Sequence, residues 1–168
     1  YVDPLITAEF DQGGGWNNEC PPGCGGQEVL VGCVAVSMSQ IMHYWKYPLQ
    51  GKGEKKYLPK GDGPSFDSLF VDFSNSIYDY SAMGDGTSSS AAAAMLLYDT
   101  GVSVEMDYGC DESGANVSEY IDGNPSAEYA LKSYFQYEKD LSSLSKNDFF
   151  NEEEFIDIIK DELDKHRP

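Results

Sequence analysis

The sequence predicts an α+β fold in which helices form most of the core. Several segments place apolar side chains at helical spacing, and the stretches between them contain only short aromatic runs of the kind that form brief strands. The chain has 168 residues, which suits one domain or one lobe of a larger domain. Its hydrophobic content of 40% and aromatic content of 13% are too high for a disordered chain. We therefore expect a folded and mainly helical unit.

The first half of the chain is predicted to contain one long helix flanked by loop-rich segments. Gly, Pro, Asn and Asp dominate residues 1–32, which favours turns. The following segment, GCVAVSMSQIMHYWKYP, predicts a helix that begins at Cys33 and ends before Pro48. Its expected buried stripe comprises Val34, Met38, Ile41, Met42 and Trp45. In residues 49–82, the runs FVDF and IYDY suggest short strands among loops.

Three helices are predicted in the second half of the chain, each beginning at a polar side chain that can cap it. Residues 88–90 are serines that precede the helix AAAAMLLYDT, which Gly101 would close in a left-handed conformation. A short strand, VSVEMDY, is expected next. Ser126 and Asn151 are expected to cap the helices AEYALKSYFQY and EEEFIDIIKDELDK. The last helix would present one apolar face, formed by Phe155, Ile158, Ile159 and Leu163.

The charge and the hydropathy of the chain argue against two classes of partner. Eleven Lys and Arg against 29 Asp and Glu give a net charge of −18, which repels a nucleic acid backbone and an anionic membrane surface. No stretch approaches the roughly 18 apolar residues that a membrane-spanning helix needs. The chain begins with YVDPLITAEF, without an initiator Met, so we expect that a signal peptide and a propeptide precede Tyr1 and are removed. A location outside the cell is therefore expected.

The four cysteines predict one disulfide and free thiols rather than a metal site. Cys20 and Cys24 frame a CPPGC loop, but structural zinc sites usually repeat such a pair, and the chain has no matched second pair. A disulfide among Cys20, Cys24 and Cys110 is expected, with its connectivity open. The acidic runs DYGCDESGAN and GDGPSFD lack the EF-hand pattern and fit solvated loops better than calcium sites. We expect no metal ion and no cofactor.

Cys33 is the most informative residue because it follows Gly32 at the predicted start of a helix. Backbone N–H groups at a helix start are unpaired and the macrodipole is positive there, so a thiolate is favoured over a thiol. Such a cysteine is a better nucleophile near neutral pH. The same position also suits an ordinary buried cysteine, since free cysteines are among the most buried residues.

A series of motifs runs through almost the whole chain. VDPLITAEFDQ and WNNECP come first, VGCVAVSMSQIMHYWKYP follows, and GKG, DFSNSIYDYSAM, AAAAMLLYDTGVSVEMDYG, SGA and YALKSYFQY complete the series. In content and order, this series resembles the streptopain family of secreted bacterial cysteine peptidases. The resemblance implies a papain-like fold, in which residues 1–168 form the N-terminal part of the catalytic domain and mainly its helical lobe. It also implies that the β-rich lobe lies largely on a missing or separate chain.

The resemblance assigns catalytic roles to two residues. It implies that Cys33 is the nucleophile and that the Gln12 amide, together with the Cys33 backbone N–H, holds the oxyanion of the tetrahedral intermediate. Each fixed donor aimed at that charge can lower the barrier by roughly 3 kcal/mol. From the residues alone, Gln12 would be an ordinary loop glutamine beside three glycines. Val34 follows Cys33 where the local papain signature has an aromatic residue, so the likeness to papain concerns fold and roles.

A peptidase of this kind also needs an imidazole within hydrogen-bond reach of the thiol. The chain has two histidines. His43 lies ten residues along the predicted helix, about 15 Å from Cys33, and fits a packed or surface helix histidine. His166 aligns before the position of the family's base, so the role is not assigned to it. We expect that the precursor is nicked and that the base lies on its second chain, which remains associated with this one. The alternative is a fragment made without that chain.

The predicted function is that of a secreted cysteine endopeptidase, made as a zymogen whose propeptide is removed on activation. Cys33 would attack polypeptide substrates and form a thioester that water then hydrolyses. The alternative is a catalytically incomplete secreted fragment that binds a partner through its acidic surface. Rapid alkylation of Cys33 at neutral pH would favour the peptidase, whereas equally slow labelling of all free cysteines would favour the binding module.

Overall fold

The computed structural model describes residues 2–60 and 64–168 of the chain. In these ranges the elements are helices and two small antiparallel sheets, which confirms the α+β class. Tyr1, the expected processed end, and residues 61–63 of the acidic run GDGPSFD lie outside the described residues. None of the helices within the described ranges is long and apolar enough to cross a membrane.

The helices and strands follow one another along the chain in a simple order. The described helices are α1 (Cys33–Trp45), α2 (Ala91–Ser103), α3 (Ala127–Ser133) and α4 (Glu152–Asp164). The strands are β1 (Pro22–Cys24), β2 (Gln27–Glu28), β3 (Glu54–Tyr57) and β4 (Leu69–Asp72). Strands β1 and β2 form one hairpin, and β3 pairs with β4 from Glu54 opposite Asp72 to Tyr57 opposite Leu69. Short 3-10 helices occupy Phe73–Asn75 and Lys146–Asp148.

Helix α1 packs against both α2 and α3. Met38 and Met42 of the predicted stripe are buried, and Ile41 is half-buried. Trp45 was predicted to belong to the stripe but is 46% exposed, because α1 ends there and the Trp45 ring packs against Tyr44 at the surface. The helix ends at Trp45, before Pro48, as the sequence predicts.

Helix α2 begins as predicted, but it ends differently. The Ser90 hydroxyl accepts a 3.1 Å hydrogen bond from the Ala93 N–H and caps the helix. The helix continues through Gly101 to Ser103, so the prediction that Gly101 closes it in a left-handed conformation is wrong. A Cβ atom at position 101 would lie only 2.2 Å from the Tyr108 hydroxyl, so glycine is needed there for close packing rather than for a turn.

Two of the short strands predicted from aromatic runs are absent. The FVDF run contributes to β4, as expected. Most of VSVEMDY lies at the end of α2 or in the following turn, and only Asp107 forms an isolated bridge, with Gly114. The IYDY run likewise forms a single bridge at Ile77, while Tyr78 and Tyr80 are buried in the core. The buried side chains of these runs, among them Tyr78 and Met106, therefore contribute to the core without forming a sheet.

The last two helices also begin at their predicted caps. The Ser126 hydroxyl accepts a hydrogen bond from the Tyr129 N–H at 3.1 Å, and the Asn151 side chain accepts one from the Glu154 N–H at 2.9 Å. Helix α3 is shorter than predicted because the chain turns at Gln136, where φ is 60°.

The predicted apolar face of α4 is not covered by the parts of the chain that the structure describes. No residue of α4 is buried. Phe155 and Ile158 are half-buried, while Ile159 is 43% and Leu163 is 36% exposed. Helix α4 thus carries an amphipathic pattern without the burial that usually accompanies it.

Candidate active site

Cys33 is the first residue of α1, and its side chain is exposed. The Val36 N–H donates a 3.1 Å hydrogen bond to the Gly32 carbonyl, which begins the helical hydrogen-bond pattern. Among the described side chains, none caps this helix start. A helix start without a side-chain cap has unpaired backbone N–H groups and is the positive end of the helix dipole.

Gly32 sets the approach to this helix. Its φ is 92°, a conformation that favours glycine. A Cβ atom at position 32 would lie 2.5 Å from the Met106 sulfur and 3.2 Å from the Ser113 Cβ. The Ser113 hydroxyl in turn donates a 2.7 Å hydrogen bond to the Leu30 carbonyl. Close packing against residues 106–113 thus fixes the backbone immediately before Cys33.

The described cysteines differ in exposure and in bonding. Cys33 is an exposed free thiol, so the interpretation of Cys33 as a buried core cysteine is wrong. Cys20 is a buried free thiol, and burial raises its pKa to about 12. Cys110 is disulfide-bonded, which confirms that the chain combines a disulfide with free thiols. Cys33 is therefore the accessible free thiol of the two that the structure describes.

Gln12 is brought to the segment that leads into α1. The Val31 N–H donates a 3.0 Å hydrogen bond to the Gln12 carbonyl, two residues before Cys33. The Asn17 side chain adds a second tie, a 3.1 Å hydrogen bond to the Val29 carbonyl. The Gln12 side chain is half-buried. The N-terminal loop thus runs beside residues 29–31, and the Gln12 carbonyl is bonded to a residue two positions before Cys33.

A groove of about 380 Å³ opens beside Cys33, between α1 and α3. One wall comes from α1 and the other from α3 together with the loops around residues 117 and 141–143. Its apolar lining includes Val34, Ile41, Val117, Leu131 and Leu141. We call it the Cys33 groove. The sequence does not predict this groove, because its walls come from segments that are distant in sequence and carry no shared motif.

The two histidines lie away from the start of α1. His43 is buried, and its Nε2 atom lies 3.0 Å from the Gly84 carbonyl oxygen and 2.8 Å from the Lys46 Nζ. Burial lowers the pKa of His43, which favours the neutral ring. The interpretation of His43 as a packed helix histidine is therefore confirmed. His166 is exposed, and its backbone carbonyl accepts a 3.1 Å hydrogen bond from the Tyr44 hydroxyl at the far end of α1.

A second cavity, of about 890 Å³, lies between Tyr57 and the loop of residues 104–116. Polar and apolar groups contribute almost equally to its lining, which includes the side chains of Asp107, Asp111 and Glu112. Within residues 2–60 and 64–168, no group of three or more His, Cys, Asp or Glu side chains is arranged to hold a metal ion.

The family comparison gives a match over nearly the whole chain. The model of the Peptidase C10 family matches residues 10–168. Streptopain of Streptococcus pyogenes is 29% identical over an alignment 152 residues long, and the match covers 85% of this chain and 36% of streptopain. The thiol protease/hemagglutinin PrtT of Porphyromonas gingivalis is 28% identical over an alignment 174 residues long, and the match covers 99% of this chain and 18% of that protein. The chain thus spans about a third of the length of streptopain.

Solved structures support the same relationship. Active wild-type interpain A, a cysteine protease of Prevotella intermedia, superposes with a TM-score of 0.78 and 27% identity, covering 96% of this chain and 65% of interpain A. A fragment of prointerpain A from the same organism gives a TM-score of 0.80 and 28% identity, covering 98% of this chain and 52% of the fragment. The papain-like fold that the sequence motifs imply is therefore confirmed for this chain.

Proposed function

The chain belongs to the Peptidase C10 family, and from this premise we propose that it carries the nucleophile of a secreted cysteine endopeptidase. The observation that carries the proposal is the exposed free thiol of Cys33 at the start of α1. Relatives matched along the same residues are named as a thiol protease and a cysteine protease. A thiol at a helix start is the arrangement in which a thiolate is favoured and remains accessible to a substrate.

In the proposed reaction the Cys33 sulfur attacks the carbonyl carbon of a peptide bond, and a new C–S bond forms. The carbonyl oxygen then carries negative charge, which the Gln12 amide and the Cys33 backbone N–H stabilise. When the tetrahedral intermediate collapses, the C–N bond breaks and the protonated amine leaves, which yields a thioester on Cys33. Water hydrolyses the thioester, releases the carboxylic acid and regenerates the thiol.

The main-chain hydrogen bond between Val31 and Gln12 supports the assignment of Gln12. It holds the N-terminal loop beside the residues that precede Cys33, whereas the Gln12 side-chain amide is a separate group. The bond thus brings the Gln12 backbone to the segment that leads into α1, and the oxyanion role proposed for the side-chain amide requires it to reach the Cys33 region from there.

The Cys33 groove supports the proposal that the substrate is a polypeptide. Its volume of about 380 Å³ accommodates side chains of a peptide bound across the thiol. The apolar lining from Val34, Val117 and Leu131 favours an apolar substrate side chain next to the cleaved bond. We expect no cofactor, because attack by a thiolate on a carbonyl needs only a base and oxyanion donors.

The general base in this proposal is a histidine outside this chain. His43 is buried about 15 Å along α1, and His166 lies at the opposite end of α1 from Cys33. We propose that residues 1–168 are the N-terminal part of a papain-like catalytic domain, and that the β-rich lobe with the histidine comes from a second chain of the same precursor. The uncovered face of α4 is consistent with such a partner.

We also propose secretion and synthesis as a zymogen. The disulfide at Cys110 fits an oxidising compartment outside the cytosol, where such bonds persist. The solved fragment of prointerpain A is named as a pro-form, which supports a propeptide that is removed on activation.

The test is peptide hydrolysis by the intact protein that carries this chain. Cys33→Ala removes the nucleophile, and we expect kcat to fall by at least about 10⁴-fold. Cys20→Ala serves as the matched cysteine control and should keep activity per folded molecule within about twofold, because the buried thiol takes no part in the reaction. Hydrolysis that survives Cys33→Ala would overturn the proposal, as would a wild-type protein that binds polypeptides without cleaving them. The second outcome would favour the acidic binding module.

A further inference from the structure

We propose that Glu128 is a positioning residue that holds the loop of residues 116–124 and the segment 141–143 against α3, and thereby shapes the wall of the Cys33 groove opposite α1. The inference rests on the proposed function, because the shape of this wall matters to the reaction only if Cys33 acts on a bound peptide. The Glu128 and Ser143 side chains themselves belong to the groove lining, but the role proposed for Glu128 is to hold its neighbours rather than to contact the reacting atoms.

The Glu128 carboxylate joins three separate parts of the chain. Its Oε2 atom accepts hydrogen bonds from the Glu119 N–H at 3.1 Å and from the Ser143 hydroxyl at 2.7 Å. Its Oε1 atom accepts a hydrogen bond from the Lys132 ammonium at 3.1 Å, one turn further along α3. A single side chain therefore connects the loop before α3, the helix itself and the segment after it.

A second carboxylate reinforces the same arrangement. Lys132 donates a hydrogen bond to Glu119 Oε2 at 2.8 Å, and Glu119 Oε1 accepts one from the Gly123 N–H at 2.8 Å. The backbone adds a further tie, a 3.0 Å hydrogen bond from the Glu128 N–H to the Val117 carbonyl. The loop of residues 116–124 is thus held at Glu119 and Gly123 by hydrogen bonds to two carboxylates, and Lys132 bonds to both of these carboxylates.

Partial burial makes this cluster stronger than an exposed ion pair. The side chains of Glu128, Glu119 and Lys132 are 13%, 10% and 20% exposed. Although burial acts to raise the pKa of Glu128, hydrogen bonds from Ser143, the Glu119 amide and Lys132 lower it to about 2. The carboxylate is therefore charged throughout the neutral range, and charge-assisted hydrogen bonds of this kind are roughly twice as strong as neutral ones.

The tied segments are the ones that supply the groove wall. Val117 lies two residues before Glu119, and Leu141 lies two residues before Ser143; both side chains line the groove. Val117 is 56% exposed, so packing alone does not hold it in place. Loss of the Glu128 carboxylate would remove the side-chain bonds to Glu119 and Ser143, and would loosen both segments and widen the groove without altering α1, on which Cys33 lies.

The experiment compares two thiol reagents on the intact protein that carries this chain. Iodoacetamide reacts with Cys33 without using the groove, whereas a peptidyl fluoromethyl ketone with a leucine side chain must bind in it. The measured quantity is the second-order rate constant for labelling by the fluoromethyl ketone divided by that for labelling by iodoacetamide. We expect Glu128→Gln to lower the ratio by about tenfold or more, with the iodoacetamide rate within about twofold of wild type. Glu138→Gln removes an equal charge from an exposed position and should leave the ratio unchanged.

A second variant keeps the inference testable if Glu128→Gln does not fold. Glu119→Gln weakens the hold on the loop without changing a groove-lining side chain, and we expect it to lower the ratio by about threefold. An unchanged ratio in the folded variants would overturn the positioning role of Glu128. An equal decrease in both rates would also overturn it, because that result indicates general destabilisation. If iodoacetamide reacts with wild-type Cys33 no faster than with a free cysteine peptide, the proposed function fails instead.

Discussion

The Val31 amide donates a 3.0 Å hydrogen bond to the Gln12 carbonyl, and this bond fixes the N-terminal loop two residues before Cys33. The bond uses only main-chain atoms of Gln12. Position 12 can therefore change its side chain without releasing the loop, which separates the structural role of this residue from the catalytic role proposed for its amide.

Replacement of Gln12 by alanine should reduce catalysis without unfolding the protein. Loss of one oxyanion donor typically lowers kcat by about 10²–10³-fold, and we expect a decrease of that size for Gln12→Ala in the intact protein. Steady-state hydrolysis of a peptide substrate gives kcat and KM, and KM should change little. Gln27→Ala, at an exposed glutamine in β2, is the control and should behave as wild type. A Gln12→Ala enzyme with wild-type kcat would contradict the assignment.

Alkylation at neutral pH should distinguish the two free thiols that the structure describes. Cys33 is exposed, whereas Cys20 is buried and has a pKa raised by burial to about 12. We expect iodoacetamide at pH 7.5 to label Cys33 at least about 100-fold faster than Cys20, since the thiolate is the reacting species. Peptide mapping by mass spectrometry measures both rates in one sample. Labelling in urea is the control, because unfolding should make Cys20 reactive; equal rates in the native protein would refute this prediction.

Asp99 should make stability depend on pH. This carboxyl group is buried in α2 and accepts a 3.0 Å hydrogen bond from the Tyr78 hydroxyl. Burial raises the pKa of Asp99 from 3.8 to about 6, although hydrogen bonds from Ser76 and Tyr78 oppose the rise. The folded state therefore binds this proton more tightly than the unfolded state. Its stabilising contribution is complete below about pH 4, decreases between about pH 4 and 6, and is lost above that range.

Asp99→Asn removes this pH dependence, because the amide cannot ionise and still offers an oxygen to Tyr78. We expect the free energy of unfolding of the variant at pH 7.5 to exceed that of wild type by up to about 3 kcal/mol, and the two to be similar at pH 4. Urea denaturation at both pH values measures the difference. Asp140→Asn, at an exposed position, should have no such effect. Equal stabilities of Asp99→Asn and wild type at pH 7.5 would rule out a costly buried charge.

Gly101→Ala should destabilise the fold despite the higher helix propensity of alanine. The new Cβ atom would lie 2.2 Å from the Tyr108 hydroxyl, and both groups are buried. We expect a loss of about 1–3 kcal/mol in the free energy of unfolding, as for other overpacked cores. Addition of Tyr108→Phe removes the clashing oxygen and should recover most of that loss. Gly114→Ala, where the Cβ meets nothing within 4 Å, is the control. A Gly101→Ala protein as stable as wild type would show that the core yields there.

The sequence was most informative where a structure depends on contacts between residues close in the chain. Ser90, Ser126 and Asn151 were each predicted as helix caps, and each accepts a hydrogen bond from an amide three residues later. The start of α1 at Cys33 was also predicted, because helical spacing and a preceding glycine are local signals. The motifs that resemble the streptopain family identified the fold, which periodicity alone could not have done.

Errors arose where contacts distant in sequence override local preference. Glycine is a residue type that often ends a helix, but Gly101 lies within α2, and the Tyr108 hydroxyl packed against it leaves no space for a larger residue. Trp45 has the correct spacing for the buried stripe, but α1 ends before another element can cover it. The Cys33 groove and the Glu128 cluster were not predicted, because they depend on how α3 and two loops meet. No spacing rule relates such segments.

The apolar face of α4 remains open on a helix that begins with three consecutive glutamates, at residues 152–154. Two copies of the chain that approached each other through this face would bring these carboxylates together, within a molecule whose net charge is already −18. The Debye length at physiological ionic strength is about 8 Å, and added salt shortens it further. Self-association through this face therefore depends on ionic strength. Dilute salt preserves the charge repulsion between copies, whereas concentrated salt screens it and leaves the attraction between the apolar faces unopposed.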